Sequence, residues 1–99
     1  MRKTKYGVKQ LKKDFGELSF GLALESERKS REMSLRVFSK VLGISVQSLS
    51  DLEKGRRIPS PSRAIEIANK IGEPEAYWVQ LALQDKLKDE DIDLKVTVA

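Results

Sequence analysis

Val46, Gln47, Ser50, Asp51 and Lys54 follow one another at intervals of one, three, one and three residues. On a helix this spacing keeps all five along one face. The chemistry such a face can do is hydrogen-bonded reading of a polar edge. A glutamine amide offers a donor beside an acceptor, which matches N6 and N7 of adenine in a duplex major groove. A valine suits a thymine methyl, and an aspartate can accept from cytosine N4. Val46, Gln47, Ser50 and Asp51 are therefore candidate base contacts. Hydroxyls and cations surround them: Ser34, Arg36, Ser45 and Ser48 on one side, Lys54, Arg56 and Arg57 on the other. These suit phosphate oxygens, through hydroxyl bonds, charge or helix N-terminal amides. Asp51 also repels phosphate, so its part is double-edged.

Covalent chemistry has little to work with. The chain has no cysteine and no histidine. That removes disulfides, zinc fingers, thiol nucleophiles and imidazole bases together. The expectation is a binding protein and not an enzyme, with no metal and no cofactor.

Charge agrees with a polyanionic partner. The net charge is +4. Arg2, Lys3, Lys5, Lys9, Lys12 and Lys13 crowd the start without an acidic residue. The stretch 36–63 sets six basic residues against Asp51 and Glu53. The sign then reverses, with Asp85, Asp89, Glu90, Asp91 and Asp93 against three lysines. A basic body attracts nucleic acid, although a solvated surface would look the same by charge alone.

These groups need a scaffold. At 99 residues, 39% apolar and 34% charged, the chain suits one small globular domain. No apolar run nears the ~20 residues that span a bilayer, and none follows the basic start as a signal peptide requires. A cytoplasmic protein is expected. The pattern predicts five helices and then a short strand. Residues 1–13 read as a basic arm, with a brief extended piece around Tyr6–Val8. The spacing predicts a first helix from about Asp14, its cap, to Arg31, with Phe15, Leu18 and Leu22 facing the core. Ser34 and Gly43 bracket a second helix at Leu35–Leu42; Ser45 and Gly55 bracket a third at Val46–Lys54. Ser60 with Pro61 opens a fourth, which stops at Gly72. Pro74 opens a fifth, carrying Tyr77, Trp78, Leu81 and Leu87. The helical domain thus covers 14–87. In the tail at 88–99, Ile92, Leu94, Val96 and Val98 alternate with polar residues, a strand pattern.

The second and third helices are short and joined by a turn of a few residues. That arrangement lets one helix brace another lying in the major groove. Phe38, Leu42, Ile44, Leu49 and Leu52 can pack inward, and the small Ser39 permits a close crossing. With Met33-Ser34-Leu35, Phe38-Ser39, Leu42-Gly43-Ile44-Ser45 and the run Leu49 to Ser60, residues from about Phe15 to Trp78 resemble the phage-repressor and Cro-like (XRE-type) helix-turn-helix family. The resemblance implies an all-α, five-helix, repressor-like domain that binds operator DNA, usually as a homodimer. It also implies an ion pair between Arg28 and Glu53.

Three features depart from that pattern. Leu35, Val37 and Val41 are apolar where the family is usually polar, and Leu35 replaces a residue that often grips DNA. Another surface, the arm or the terminal strand, is expected to cover that helix. The tail at 88–99 is itself an addition. The size and tail resemble antitoxins of bacterial toxin–antitoxin operons, which also bind a toxin protein; small repressors look similar. The competing class is a protein-interaction module that keeps the fold without binding DNA.

Overall fold

Four serines start four helices in the computed structural model, which describes residues 18–98. Ser19 precedes α1 (Phe20–Ser30), Ser34 α2 (Leu35–Leu42), Ser45 α3 (Val46–Glu53) and Ser60 α4 (Pro61–Ile71). Each hydroxyl accepts the N–H three residues on, from Leu22, Val37, Ser48 and Arg63 at 3.0–3.2 Å. Such a bond satisfies one orphan amide of the first turn and contributes about 1 kcal/mol. The last helix, α5 (Glu75–Asp89), starts behind Pro74 without a side-chain cap. The basic arm, the piece around Tyr6–Val8, the Asp14 cap and Phe15 lie outside the described residues.

The start of α1 corrects the sequence expectation. Phe20, Ala23 and Leu24 form its buried stripe, while Leu18 and Leu22 are 47% and 52% exposed. Leu18 precedes the helix. Leu22 is two residues from Phe20, about 200° around the axis, so burying Phe20 turns Leu22 to solvent.

The core joins Phe20 and Leu24 to Phe38, Leu42, Leu49, Leu52, Ala64, Ile67, Ala68 and Trp78. Helix α1 packs on α3 and α5, α2 on α3 and α4, and α4 on α5. The Trp78 ring stands edge-on to Phe20, with centroids 5.3 Å apart. Side chains also tie helix ends together. Arg31 Nη2 donates to the Ile71 carbonyl at the end of α4 (2.7 Å), and Lys70 Nζ to the Leu42 carbonyl at the end of α2 (3.4 Å). Cations placed there satisfy orphan carbonyls and oppose the helix dipole.

Among the described residues there is no strand, so the five-helix expectation holds without the terminal β element. Asp91 takes a left-handed conformation (φ 60°), and Ile92 N–H bonds back to the Leu87 carbonyl. The chain then meets the Gln84 side chain. Gln84 Nε2 donates to the Leu94 carbonyl and Gln84 Oε1 accepts the Val96 N–H, both at 2.8 Å. A lone strand is unstable without a partner, and here one amide side chain takes the partner's place. Among the described residues the second helix is only partly covered. Leu35 and Val41 pack against the core, and Val37 remains 48% exposed.

Candidate nucleic-acid interface

Three residues, Gly43, Ile44 and Ser45, separate α2 from α3. Gly43 adopts φ 73°, ψ 30°, a left-handed conformation that glycine takes without a Cβ clash. The Ile44 N–H then returns to the Ser39 carbonyl at 3.0 Å, closing α2. Ser39 is buried at the crossing, where its hydroxyl donates to the Arg36 carbonyl. Leu49 and Leu52 anchor α3 from beneath.

That anchoring fixes which side of α3 faces out. Val46 and Gln47 are exposed, Ser50 and Asp51 half-buried, and Lys54 exposed. Ser34, Arg36, Ser45, Arg56 and Arg57 are exposed beside them, with Ser48 intermediate. The hydroxyls of Ser34 and Ser45 are engaged as caps, and Ser45 also donates to Ser48 Oγ at 3.0 Å. What these helix starts can offer an anion is backbone amide and dipole more than free hydroxyl.

Asp51 is the hub of the face. Its Oδ1 accepts from Gln47 Nε2 at 3.0 Å and from Arg56 Nε at 2.9 Å. Arg56 Nη2 also lies 3.4 Å from Ser50 Oγ. The Asp51 backbone carbonyl takes the amides of Arg56 and Arg57, at 2.9 and 3.2 Å. The loop after α3 thus folds back onto one residue. The hydrogen bond from Arg56, aided by that from Gln47 and by the charge of Arg57, holds the Asp51 carboxyl below its ordinary range. It is ionised at neutral pH and occupied from two sides. Arg57, exposed beside the face, also lines a cleft of about 300 Å³ with Ser19, Gly21, Leu52 and Asp85.

Behind the face, Arg28 grips Glu53 with two bonds. Nε donates to Oε2 at 2.8 Å and Nη2 to Oε1 at 3.1 Å. Arg28 Nη1 also reaches the Met33 carbonyl at 3.1 Å, just before α2. One guanidinium therefore joins α1, the approach to α2 and the end of α3. The Glu53 side chain is 5% exposed, so the pair is largely out of water.

Sequence reasoning missed two parts of this site. The Gln47–Asp51 bond follows from their four-residue spacing, at which a glutamine and an aspartate on a helix meet. The return of Arg56 to Asp51 depends on the turn at Gly55 (φ 77°), which spacing alone does not reveal. No group of three or more Asp or Glu side chains among the described residues could hold a metal ion. No described helix is long and apolar enough to cross a membrane.

The helix-turn-helix family HTH_3 matches residues 24–78, more than half of the chain. That span runs from the core of α1 to Trp78. Three similar proteins are the uncharacterized HTH-type transcriptional regulators Mb0023 of Mycobacterium bovis and MT0026 and Rv0023 of Mycobacterium tuberculosis. Each is 32% identical over 81 residues, which cover 82% of this chain. The match spans about 30% of the length of those relatives. On the match over 24–78, together with the tight Gly43–Ser45 turn between α2 and α3, the chain belongs to the helix-turn-helix family.

Proposed function

We propose that this chain binds double-stranded DNA sequence-specifically as a transcription regulator, with α3 in the major groove. The observation that carries the reading is the outward face of α3: Val46 and Gln47 project at its start, while the cations Lys54, Arg56 and Arg57 gather at its end. A helix seated N-terminus first in the groove places just those positions at base edges and phosphates. Gln47 reads adenine and Val46 a thymine methyl. Ser34, Arg36, Ser45, Ser48, Lys54 and the arginines hold the backbone. Regulation is by occlusion: a homodimer sets two α3 helices about 34 Å apart, on successive turns of a palindromic operator. The names of the mycobacterial relatives support regulation in general terms. A toxin partner is a finer reading within the same class.

The test is selection from a random duplex library, followed by salt titration of the selected site. A DNA regulator loses affinity steeply with salt, with a log–log slope near −0.9 per phosphate contact. Gln47→Ala is expected to lower discrimination by about 1–3 kcal/mol at one base pair. Arg56→Ala is expected to weaken all duplexes alike. Flat, weak binding to every duplex would favour the protein-interaction module instead.

A further inference from the structure

We infer that Asp51 is a specificity-determining positioning residue: it does not read a base itself but locks the Gln47 amide in one donor–acceptor order. The inference rests on the DNA-binding reading above and deepens it.

The argument begins with the amide. A glutamine side chain carries an oxygen and an NH₂ group of nearly equal size, so a half-turn about its last bond exchanges donor and acceptor. Exposed and free, Gln47 would present both orders to a base edge. Asp51 breaks that symmetry. Its Oδ1 accepts from Gln47 Nε2 at 3.0 Å, which leaves the second amide hydrogen and Oε1 available. The half-turn would bring Oε1 against an ionised carboxylate, acceptor against acceptor. The order that survives keeps Nε2 on the Asp51 side and Oε1 on the other, so an adenine edge, with its N6 donor beside its N7 acceptor, is matched in one orientation only.

The same oxygen explains why Asp51 is a poor direct reader. Oδ1 already receives Gln47 and, at 2.9 Å, Arg56. Reaching cytosine N4 would surrender one of those bonds or rely on the other oxygen beside phosphate charge. The Arg56 bond also keeps the carboxylate ionised, so the lock persists at neutral pH. Asp51 thus couples the base-reading end of α3 to its phosphate-facing end through a single atom.

The test compares wild type, Asp51→Asn, Asp51→Ala, Gln47→Ala and the Gln47→Ala/Asp51→Asn double variant in selection from a random-sequence duplex library. The asparagine is isosteric and offers both a donor and an acceptor, so it accommodates either amide order. Asp51→Asn and Asp51→Ala are expected to keep binding but to relax preference at the base pair that Gln47→Ala alters, by about fivefold or more. In the double variant Asp51→Asn is expected to change that preference no further. Arg56→Ala, which leaves the Gln47–Asp51 bond intact, is expected to keep the preference while weakening every duplex. The inference is overturned if Asp51→Asn leaves that preference unchanged, or if its effect adds in full to that of Gln47→Ala. A wild-type chain that selects no duplex would instead overturn the DNA-binding reading, and this inference with it.

Discussion

Gly21 on α1 lies directly against the backbone of Leu52 at the end of α3. A Cβ added at Gly21 would collide with the Leu52 carbonyl oxygen and come within 2.7 Å of that of Glu53. The obstacle is backbone, which cannot rotate away. The first helix therefore braces α3 through a residue that has no side chain.

Gly21→Ala is accordingly expected to destabilise the fold. Alanine in a helix gains about 0.5–1 kcal/mol over glycine. Overpacking against a fixed backbone costs about 1–3 kcal/mol, so the clash prevails. The expected net loss is on the order of 1–2 kcal/mol, read as a lower urea midpoint. DNA affinity is expected to fall with it, because the displaced element is α3. A variant more stable than wild type would show that α1 can move aside.

Arg28 and Glu53 make the second test. Removing one partner of a pair shielded from water leaves the other charge uncompensated, and such losses run to about 3–5 kcal/mol. Glu53→Ala strands Arg28 beside the core, so its cost is expected near the lower end, about 3 kcal/mol, since Arg28 keeps some solvent and the Met33 carbonyl. The Arg28→Met/Glu53→Met double variant is expected to recover most of that loss, because no charge remains to be solvated. Equilibrium denaturation of the three chains checks both statements. Equal losses in single and double variants would mean that packing, not charge, is at stake.

The extent to which such features are readable in the sequence follows their range. Ser34, Ser45, Ser60, Gly43 and Gly72 mark helix ends because capping and left-handed turns are decided within a few residues. The helix-turn-helix was legible for the same reason. Gly21 was not: nearby in the chain it only weakens a helix, and its purpose lies 31 positions away at Leu52. Leu22 misled because the inward face of α1 depends on where the helix starts. In the site, the identities of the exposed α3 residues were legible from spacing. The partnership of Asp51 with Arg56 was not, because it requires the chain to reverse after Lys54.

Gln84 offers a local test of the tail. Its two bonds hold Leu94 and Val96 against α5 as a neighbouring strand would. Gln84→Ala removes both and buries nothing new, so the global cost is expected to be small, about 1 kcal/mol or less. The sensitive observable is local. Amide hydrogen exchange at Val96 is expected to accelerate, while amides in the α3 core around Leu49 and Leu52 keep their protection. Unchanged exchange at Val96 would show that Gln84 does not hold the tail.

Asp85 supplies a pH dependence. Its Oδ2 accepts the Phe20 N–H at 2.9 Å, tying α5 to the first turn of α1. Half-burial pushes this carboxyl above its ordinary value, and the Phe20 bond and nearby Lys88 offset only part of the rise. Folded, Asp85 therefore keeps its proton to a higher pH than it does unfolded. Between those two values the folded state binds more protons, so the Asp85 contribution to stability falls as pH rises through the folded value. At neutral pH the ionised group costs stability relative to a neutral one. Asp85→Asn keeps an acceptor for Phe20 N–H and removes the charge. It is expected to be at least as stable as wild type at neutral pH, and its advantage is expected to shrink as the solution is acidified through the carboxylate range, which starts near pH 4 for an ordinary Asp. Urea denaturation of both chains across that range decides the matter. An asparagine variant that is weaker at neutral pH, with the gap closing on acidification, would mean that the α1 dipole and the Phe20 bond outweigh burial and favour the ionised form.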